Sequence, residues 1–300
     1  MHKHRGVVTI NLTEFGSLVK ALRNGCFDDH GNRLTREALS KEIHLTPNQL
    51  GRLERGDRKY LDTQTLRLLA RALKLTNLER REFFLAAIGQ RDKYLFDQEE
   101  PENQLNDLVE LMENLQVPAF TVDPYGDLVA VNTSCMNLFL VTPEIIEYGH
   151  TFPLAFNHMY FMYSPEFGYK DLIGPGYQKT LEIEILLFRR SSLRYRHTEY
   201  FDCVFKNLLK IKEFDVDWYA SQRNPRHHDL TYELFEYDHP RYGRMSYIAT
   251  ETIVNTQKGD LYLIIYNATN NETSFIFNKL KDSHKNHTIK LASWPNKEIK

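Results

Sequence analysis

Residues 35–56, Thr-Arg-Glu-Ala-Leu-Ser-Lys-Glu-Ile-His-Leu-Thr-Pro-Asn-Gln-Leu-Gly-Arg-Leu-Glu-Arg-Gly, constrain this chain more than any other stretch. They encode two short helices and a tight turn between them. Thr35 and Thr46 are good N-caps, because a threonine hydroxyl accepts a backbone N–H that a helix start leaves open. Pro47 stands at a first helical position, where no N–H is needed. Gly56 suits a helix end in the left-handed conformation. Leu39, Ile43, Leu45, Leu50 and Leu53 fall on the inward side at helical spacing. Asn48, Gln49, Arg52 and Arg55 are left on the exposed face of the second helix. Such side chains hydrogen-bond base edges and phosphates, so the segment reads as a DNA-reading helix-turn-helix. His44 holds a turn position where glycine is common. It is expected to take a positive φ, which histidine tolerates better than a branched residue.

The flanks extend the pattern. Residues 14–23 carry Phe15, Leu18, Val19 and Leu22 at helical spacing, and residues 62–75 carry Leu66, Leu69, Ala70 and Leu73. A fifth helix is expected over 78–88, started by Thr76 and ended by Gly89. Five short helices with the turn unit second and third give an all-α, λ-repressor-like domain over residues 10–90. Charge agrees: residues 1–95 hold 18 Lys and Arg against 11 Asp and Glu, while residues 96–300 hold 20 against 29. A basic end on an otherwise acidic chain points to a polyanion partner for that end. Asn48, Gln49 and Arg52, with Thr46 at the helix start, are the candidates for base reading. Arg36 is expected to touch phosphate and brace the second helix, and Lys41, Arg55, Arg58 and Lys59 to lie along phosphates. One such unit reads few base pairs, so a homodimer on a roughly palindromic duplex site is expected.

Three hundred residues can hold two domains with full cores, and 18 Phe and 17 Tyr supply the material. The three cysteines, Cys26, Cys135 and Cys203, are odd in number and far apart. They exclude a disulfide framework and point to a reducing cytoplasm, with no membrane partner, since no secretory pattern or long apolar run occurs. Residues 91–104 turn acidic and lose helical period, as a linker would. A helix is expected over 105–115. The period then falls to two at 117–122 and 128–131, joined by the turn sequence Asp123-Pro-Tyr-Gly-Asp127. A helical stretch follows, clearest at 177–190 and 198–212, then strands at 230–237, 245–254 and 261–266. Strands, helices and strands again give an α+β, PAS-like sensor domain over 105–275, with 276–300 left as a tail.

At this scale the chain resembles the MmyB-like bacterial helix-turn-helix regulators. The residues that carry the resemblance are the insert Asn24 to Arg33, Leu53-Glu-Arg-Gly56, Leu115-Gln-Val-Pro-Ala-Phe-Thr-Val-Asp123, Leu128-Val-Ala-Val-Asn132, Tyr237-Asp-His-Pro240, Glu251-Thr-Ile253 and Gly259-Asp-Leu-Tyr-Leu-Ile-Ile-Tyr266. The family often has Trp where this chain has Val131, and residues 141–228 match poorly. The resemblance implies an XRE-type transcription regulator whose PAS-like domain binds a small apolar ligand such as a fatty acid.

The segment Phe152 to Ser164 is dense in aromatics and methionine, which suit an adaptable apolar cavity. Phe120, Phe156, Met159, Phe161, Met162, Phe205 and Tyr247 are the candidate lining. Arg189, Arg190, Arg194 and Arg196 read either as an anchor for a carboxylate head group or as a solvated helix end. Catalysis has no motif to stand on: Gly-x-Ser-x-Gly, the P-loop and His-Glu-x-x-His are all missing. Glu182 and Glu184 point to different helix faces, and both read as solvated. His227 and His228, adjacent on a strand, point apart, so neither an enzyme nor a metal site is expected. The alternative to a ligand-controlled regulator is an antitoxin-like or scaffold protein that uses the helix-turn-helix to hold a protein partner.

Overall fold

A computed structural model describes residues 12–28, 30–57, 61–88, 101–152, 154, 156–223, 233–256, 259–281 and 287–297. Arg58, Lys59, His227, His228 and residues 91–100 of the expected linker lie outside the described residues. The chain divides into two compact units. The first comprises residues 1–95, 192–202 and 219–229; the second comprises 96–191, 203–218 and 230–300.

Unit 1 contains helices α1 (Leu12–Asn24), α2 (Arg36–Glu42), α3 (Pro47–Glu54), α4 (Thr63–Ala72) and α5 (Asn77–Ile88). Their starts are fixed by side chains read directly from the sequence. Thr35 Oγ1 accepts from the Ala38 N–H, and Asp62 from Thr65. Thr76 and Glu79 cap α5 reciprocally, with Glu79 accepting from the Thr76 N–H at 2.8 Å. Phe15, Val19, Leu39, Ile43, Leu50, Leu53, Leu69 and Phe83 close one core beneath these helices. Two glycines set how tightly they close. A Cβ on Gly16 would run into the Leu53 carbonyl oxygen, so α1 and α3 meet backbone to backbone. Gly56 has φ +78° and its Cβ would stand 2.6 Å from Thr13 Cα. His44 takes φ 56°, as expected for its place in the turn.

The first unit also takes residues that lie far along the chain. Leu193 is fully buried in the same apolar core as Phe15 and Phe83. Ser192, Leu193, Arg196 and Phe201 of the segment 192–202 are therefore buried parts of this unit rather than an appendage to it.

Unit 2 starts with α6 (Pro101–Asn114), then β1 (Ala119–Val122), β2 (Leu128–Asn132), α7 (Thr133–Leu138), α8 (Pro143–Gly149), α9 (His158–Tyr163) and α10 (Tyr169–Ile173). Helices α11 (Tyr177–Ser192), α12 (Glu199–Leu208) and α13 (Lys212–Arg223) carry the chain across the unit boundaries. Strands β3 (Glu233–His239), β4 (Gly243–Thr256) and β5 (Gly259–Ala268), helix α14 (Asn271–Lys279) and strand β6 (Thr288–Lys290) complete it. The strands form one six-stranded antiparallel sheet in the order β3-β4-β5-β1-β2-β6. This is the α+β architecture that the change of period from 3.6 to 2 implied.

The two faces of the sheet follow from strand alternation. Leu261 and Leu263 of β5, with Ala119, Val129 and Ala130, pack against Leu105, Leu108 and Met112 of α6. The intervening residues, Tyr262, Ile264 and Tyr266, face the other side. Pairing places Phe120 and Glu251 on either side of Ile264 in one cross-strand row. Buried Asn132 ties the corner together: Oδ1 accepts from the Ala119 and Cys135 N–H groups, and Nδ2 donates to the Val117 carbonyl. Of residues 276–300, read from sequence as a tail, the described ones join the domain. β6 pairs with β2, and Lys297 reaches Asp123 and Asp127 of the β1–β2 turn.

Candidate nucleic-acid interface and ligand cavity

Within unit 1 the second helix of the turn unit is presented as the sequence predicts. Lys41, Thr46, Asn48, Gln49, Arg52 and Arg55 are exposed, while Leu50 and Leu53 are fully buried. Thr46 and Gln49 form a full capping box: Gln49 Oε1 accepts from the Thr46 N–H at 2.8 Å, and Thr46 Oγ1 from the Gln49 N–H at 3.2 Å. The box commits the Gln49 carbonyl to the helix start and leaves its amide donors for a partner. Arg55 pairs with Asp57 at 2.9 Å on the surface.

Arg36 plays the bracing part expected of it. Its guanidinium binds Glu54 Oε2 through Nε at 3.0 Å and Nη2 at 2.7 Å, and Arg23 Nε takes Glu54 Oε1 at 2.6 Å. Burial pushes the Glu54 carboxyl up, but hydrogen bonds and charge from Arg23 and Arg36 outweigh it and hold the group below the usual glutamate range. One buried carboxylate thus locks α1 and the start of α2 to the end of α3. The Arg36 side chain remains 41 % exposed, enough for a guanidinium to meet a phosphate at the same surface.

Among the described residues, two half-open cavities lie within unit 2. The larger, of about 270 Å³, lies between α9, α11 and the sheet face carrying Tyr262, Ile264 and Tyr266. The smaller, of about 70 Å³, is apolar and reaches between α7, α8 and α9. Phe120 and His158 line both. Local capping explains why His158 stands there. Asn157 Nδ2 donates to the Tyr125 carbonyl at 2.8 Å and to Asp127 at 3.0 Å, while its Oδ1 caps α9. This anchors the first turn of α9 on the β1–β2 turn.

The sequence candidates divide three ways. Phe120 and Met159 line the larger cavity, and Phe120, Phe156 and Phe161 the smaller. Met162, Tyr247 and Phe205 line neither. Met162 and Tyr247 are each 1 % exposed. Tyr247 packs among Phe235, Tyr266 and Phe277, and Phe205 lies 4.8 Å from Trp218. Aromatic density found the region but not the side on which each ring lies.

The larger cavity has a charged wall that sequence reasoning missed. His158 Nε2 lies 3.2 Å from Glu184 Oε2, and Arg190 Nη2 lies 2.5 Å from Glu251 Oε2. Glu184 is therefore not the solvated residue expected; Glu182, on the other face of α11, is exposed. The arginine cluster is not a solvated helix end either. Arg189 is fully buried against the Trp218 ring at 4.3 Å and donates to the Trp218 carbonyl. Arg194 pairs with Glu82 and Arg196 with Glu79 within unit 1. Of the four, Arg190 alone lines either cavity. Beside the cavity, burial and the Asp127 charge push the Asp123 carboxyl up to about 6 against the pull of Lys297.

An exposed, capped recognition helix and a domain with a half-open, aromatic-lined cavity define a class: a DNA-binding regulator that carries a ligand-binding domain. Comparison with known families says the same. Residues 14–83 match the helix-turn-helix domain, and residues 104–275 match the MmyB-like transcription regulator ligand binding domain. The second match spans more than half of the chain, which therefore belongs to the MmyB-like transcription regulators. A comparison with curated proteins returned no match. The family is one of transcription regulators and not of enzymes. No helix among the described residues is long and apolar enough to cross a membrane.

Proposed function

We propose that this protein is a sequence-specific regulator that binds duplex DNA as a homodimer in the cytoplasm, under the control of a small ligand with an apolar body. The observation that carries the reading is the presence, in one chain, of a braced, exposed α3 and a second unit with half-open, aromatic-lined cavities. Asn48, Gln49 and Arg52, with Thr46 at the helix start, are the proposed base readers. Arg36, Lys41, Arg55, Arg58 and Lys59 are the proposed phosphate contacts. Phe120, Phe156, Met159 and Phe161 are the proposed ligand lining, with Met162, Phe205 and Tyr247 as the packing behind it.

A long-chain fatty acid is the reference ligand for this reading. It supplies apolar surface worth about 0.8 kcal/mol per buried CH₂. Cavities of about 270 and 70 Å³ each fall below the roughly 300–1,000 Å³ of ordinary small-molecule sites. A long chain therefore requires side chains such as Phe161 and Met159 to move, which unbranched methionine does readily. Its carboxylate has Arg190 as a candidate partner, whose guanidinium already meets Glu251 through Nη2.

Ligand alters DNA binding only through unequal affinity for two arrangements of the protein. Helix α11 gives Glu184 and Arg190 to the cavity wall and leads within the next few residues to Leu193 in the core of unit 1. We place the transmission on this helix as well as on the 91–104 segment.

The test is a binding-site selection with the purified protein, followed by titration of the selected duplex before and after organic extraction of bound small molecules. A selected palindrome whose affinity changes on extraction supports the reading. Selection of no sequence removes it. A selected sequence with unchanged affinity leaves a constitutive DNA-binding protein.

A further inference from the structure

Residues 287–297 lie beyond the stretch 104–275 that matches the family's ligand-binding domain, so the match assigns them no part. The structure builds them into the wall of the ligand site. β6 stands at the end of the sheet and pairs with β2, Thr288 opposite Asn132 and Lys290 opposite Ala130. Just after it the Leu291 and Ala292 N–H groups donate to the Val129 and Leu128 carbonyls, each at 3.0 Å. Leu291 there lines the smaller cavity together with Leu128, Val131 and Phe156. Trp294 then packs against the apolar cluster that α6 forms with the sheet.

Polar ties hold both ends of this segment. At its start the Thr133 N–H donates to the His287 carbonyl at 2.8 Å, and Thr133 Oγ1 donates to the same oxygen at 3.1 Å. At its end Lys297 Nζ lies 2.5 Å from Asp123 and 2.7 Å from Asp127; the three side chains are 9 %, 0 % and 6 % exposed. Asp123 lines the larger cavity, and Asp127 also accepts from Asn157, the cap of α9. The first two residues of α9, His158 and Met159, line that cavity as well. One chain segment thus gives an apolar side chain to the smaller cavity and fastens the wall of the larger one.

We propose that residues 287–297 form a strap that opens for the ligand to enter and leave. Leu291 is a ligand contact, and Lys297 is the positioning residue that holds the strap shut. The proposal rests on the ligand-controlled reading and adds a moving part to it. Each cavity is smaller than an ordinary small-molecule site, so a ligand must push part of the wall aside. Among the strands, β6 yields at least cost. It has three residues, stands at the sheet edge and leaves Ile289 39 % exposed, whereas β1 and β5 are paired on both sides. Local opening begins where the backbone is held by the fewest bonds. The charge-assisted contacts of Lys297 then set how often the strap opens.

The experiment uses the full chain and cis-parinarate, a fatty acid that fluoresces in apolar surroundings, with association and release followed by stopped flow. Lys297→Met should raise both rates at least about fivefold, because a loosened strap opens the way in and the way out alike. Lys297→Arg keeps the charge and should restore the slow rates. Leu291→Ala keeps the ties and removes a contact, so release alone should quicken. Hydrogen exchange on the unsubstituted protein gives a reading that depends on no variant's folding: bound cis-parinarate should slow exchange of the Leu291 and Ala292 N–H groups. Unchanged rates in Lys297→Met, faster release there without faster association, or unchanged exchange of the two amides on binding each overturns the strap and leaves the ligand reading standing. Binding of the probe to none of the proteins removes the ligand reading, and the strap with it.

Discussion

Arg196 Nη2 lies 2.7 Å from Glu79 Oε1, and the two side chains are 8 % and 0 % exposed. The other oxygen of Glu79 accepts from the Thr76 N–H and so starts α5. One buried carboxylate thus both caps a helix of the DNA-binding unit and holds a residue 117 positions later in the chain. Arg196 falls inside the stretch that matches the ligand-binding domain, yet it folds with unit 1. Cutting the chain at the edges of its family matches would therefore remove part of the first unit's interior.

Replacing Arg196 with Met leaves the Glu79 charge buried without this partner, a change that costs about 3–5 kcal/mol when a buried pair is broken from one side. The expected outcome is a lower urea midpoint for unit 1 and a parallel loss of DNA affinity. Adding Glu79→Gln to Arg196→Met should recover part of the loss, because the uncompensated charge is then gone. An unchanged midpoint in the single variant would show that the pair contributes nothing.

On the recognition surface Arg52 and Arg36 should behave differently. Arg52 is exposed on α3, so Arg52→Ala should cost about 1–3 kcal/mol on the preferred duplex and relax preference at one position, with stability unchanged. Arg36 holds Glu54 through two donors, so Arg36→Ala should weaken binding to all sequences alike and lower the unfolding temperature. Binding-site selection with each variant, alongside thermal unfolding, separates the two roles.

The α1–α3 contact can be tested without touching a polar group. Gly16→Ala places a methyl against the Leu53 carbonyl oxygen, where backbone and not a flexible side chain must yield. Overpacking of this kind costs about 1–3 kcal/mol, and α3 should tilt with it. Gly31→Ala is the control. Gly31 also has positive φ, +81°, but a Cβ there meets nothing within 4 Å, so only backbone strain is added. Thermal unfolding should place Gly16→Ala clearly below Gly31→Ala. The reverse order would mean that the close approach yields easily.

The helix-turn-helix was legible because everything that makes it is local. Caps at Thr35 and Thr46, Pro47, the Gly56 stop and the leucine spacing all lie within 22 residues, and the structure realises each. The cavity wall was not legible for the opposite reason. Glu184 meets His158 across 26 positions and Arg190 meets Glu251 across 61, and no periodicity announces such partners. The row Phe120, Ile264 and Glu251 depends on strand register, which a list of strands does not contain. Tyr262 and Tyr266, by contrast, could have been assigned: alternation along β5 puts them on one face and Leu261 and Leu263 on the other. The sixth strand was missed because three residues, Thr288 to Lys290, carry too little pattern to separate from a tail.

The buried Asp123–Lys297–Asp127 triad links stability to pH. Lys297 Nζ lies 2.5 Å from Asp123 and 2.7 Å from Asp127. Burial and the Asp127 charge raise the Asp123 carboxyl to about 6 from an ordinary 3.8, while Lys297 pulls it down. An acid raised on folding holds its proton more tightly in the folded state. Its contribution is therefore fully present below the unfolded value and is lost as pH rises from 3.8 toward about 6. Glu54, whose carboxyl is depressed, acts the other way: its contribution is present above 4.5 and is lost as pH falls through its lower folded value. Asp123→Asn removes the first window and leaves the second. Its unfolding temperature relative to the unsubstituted protein should therefore rise as pH increases from about 4 to about 6, then level off. Parallel melting curves in buffers of constant ionic strength across that range provide the measurement. A constant difference between the two proteins would mean that Lys297 compensates Asp123 fully and that the carboxyl is ionised throughout.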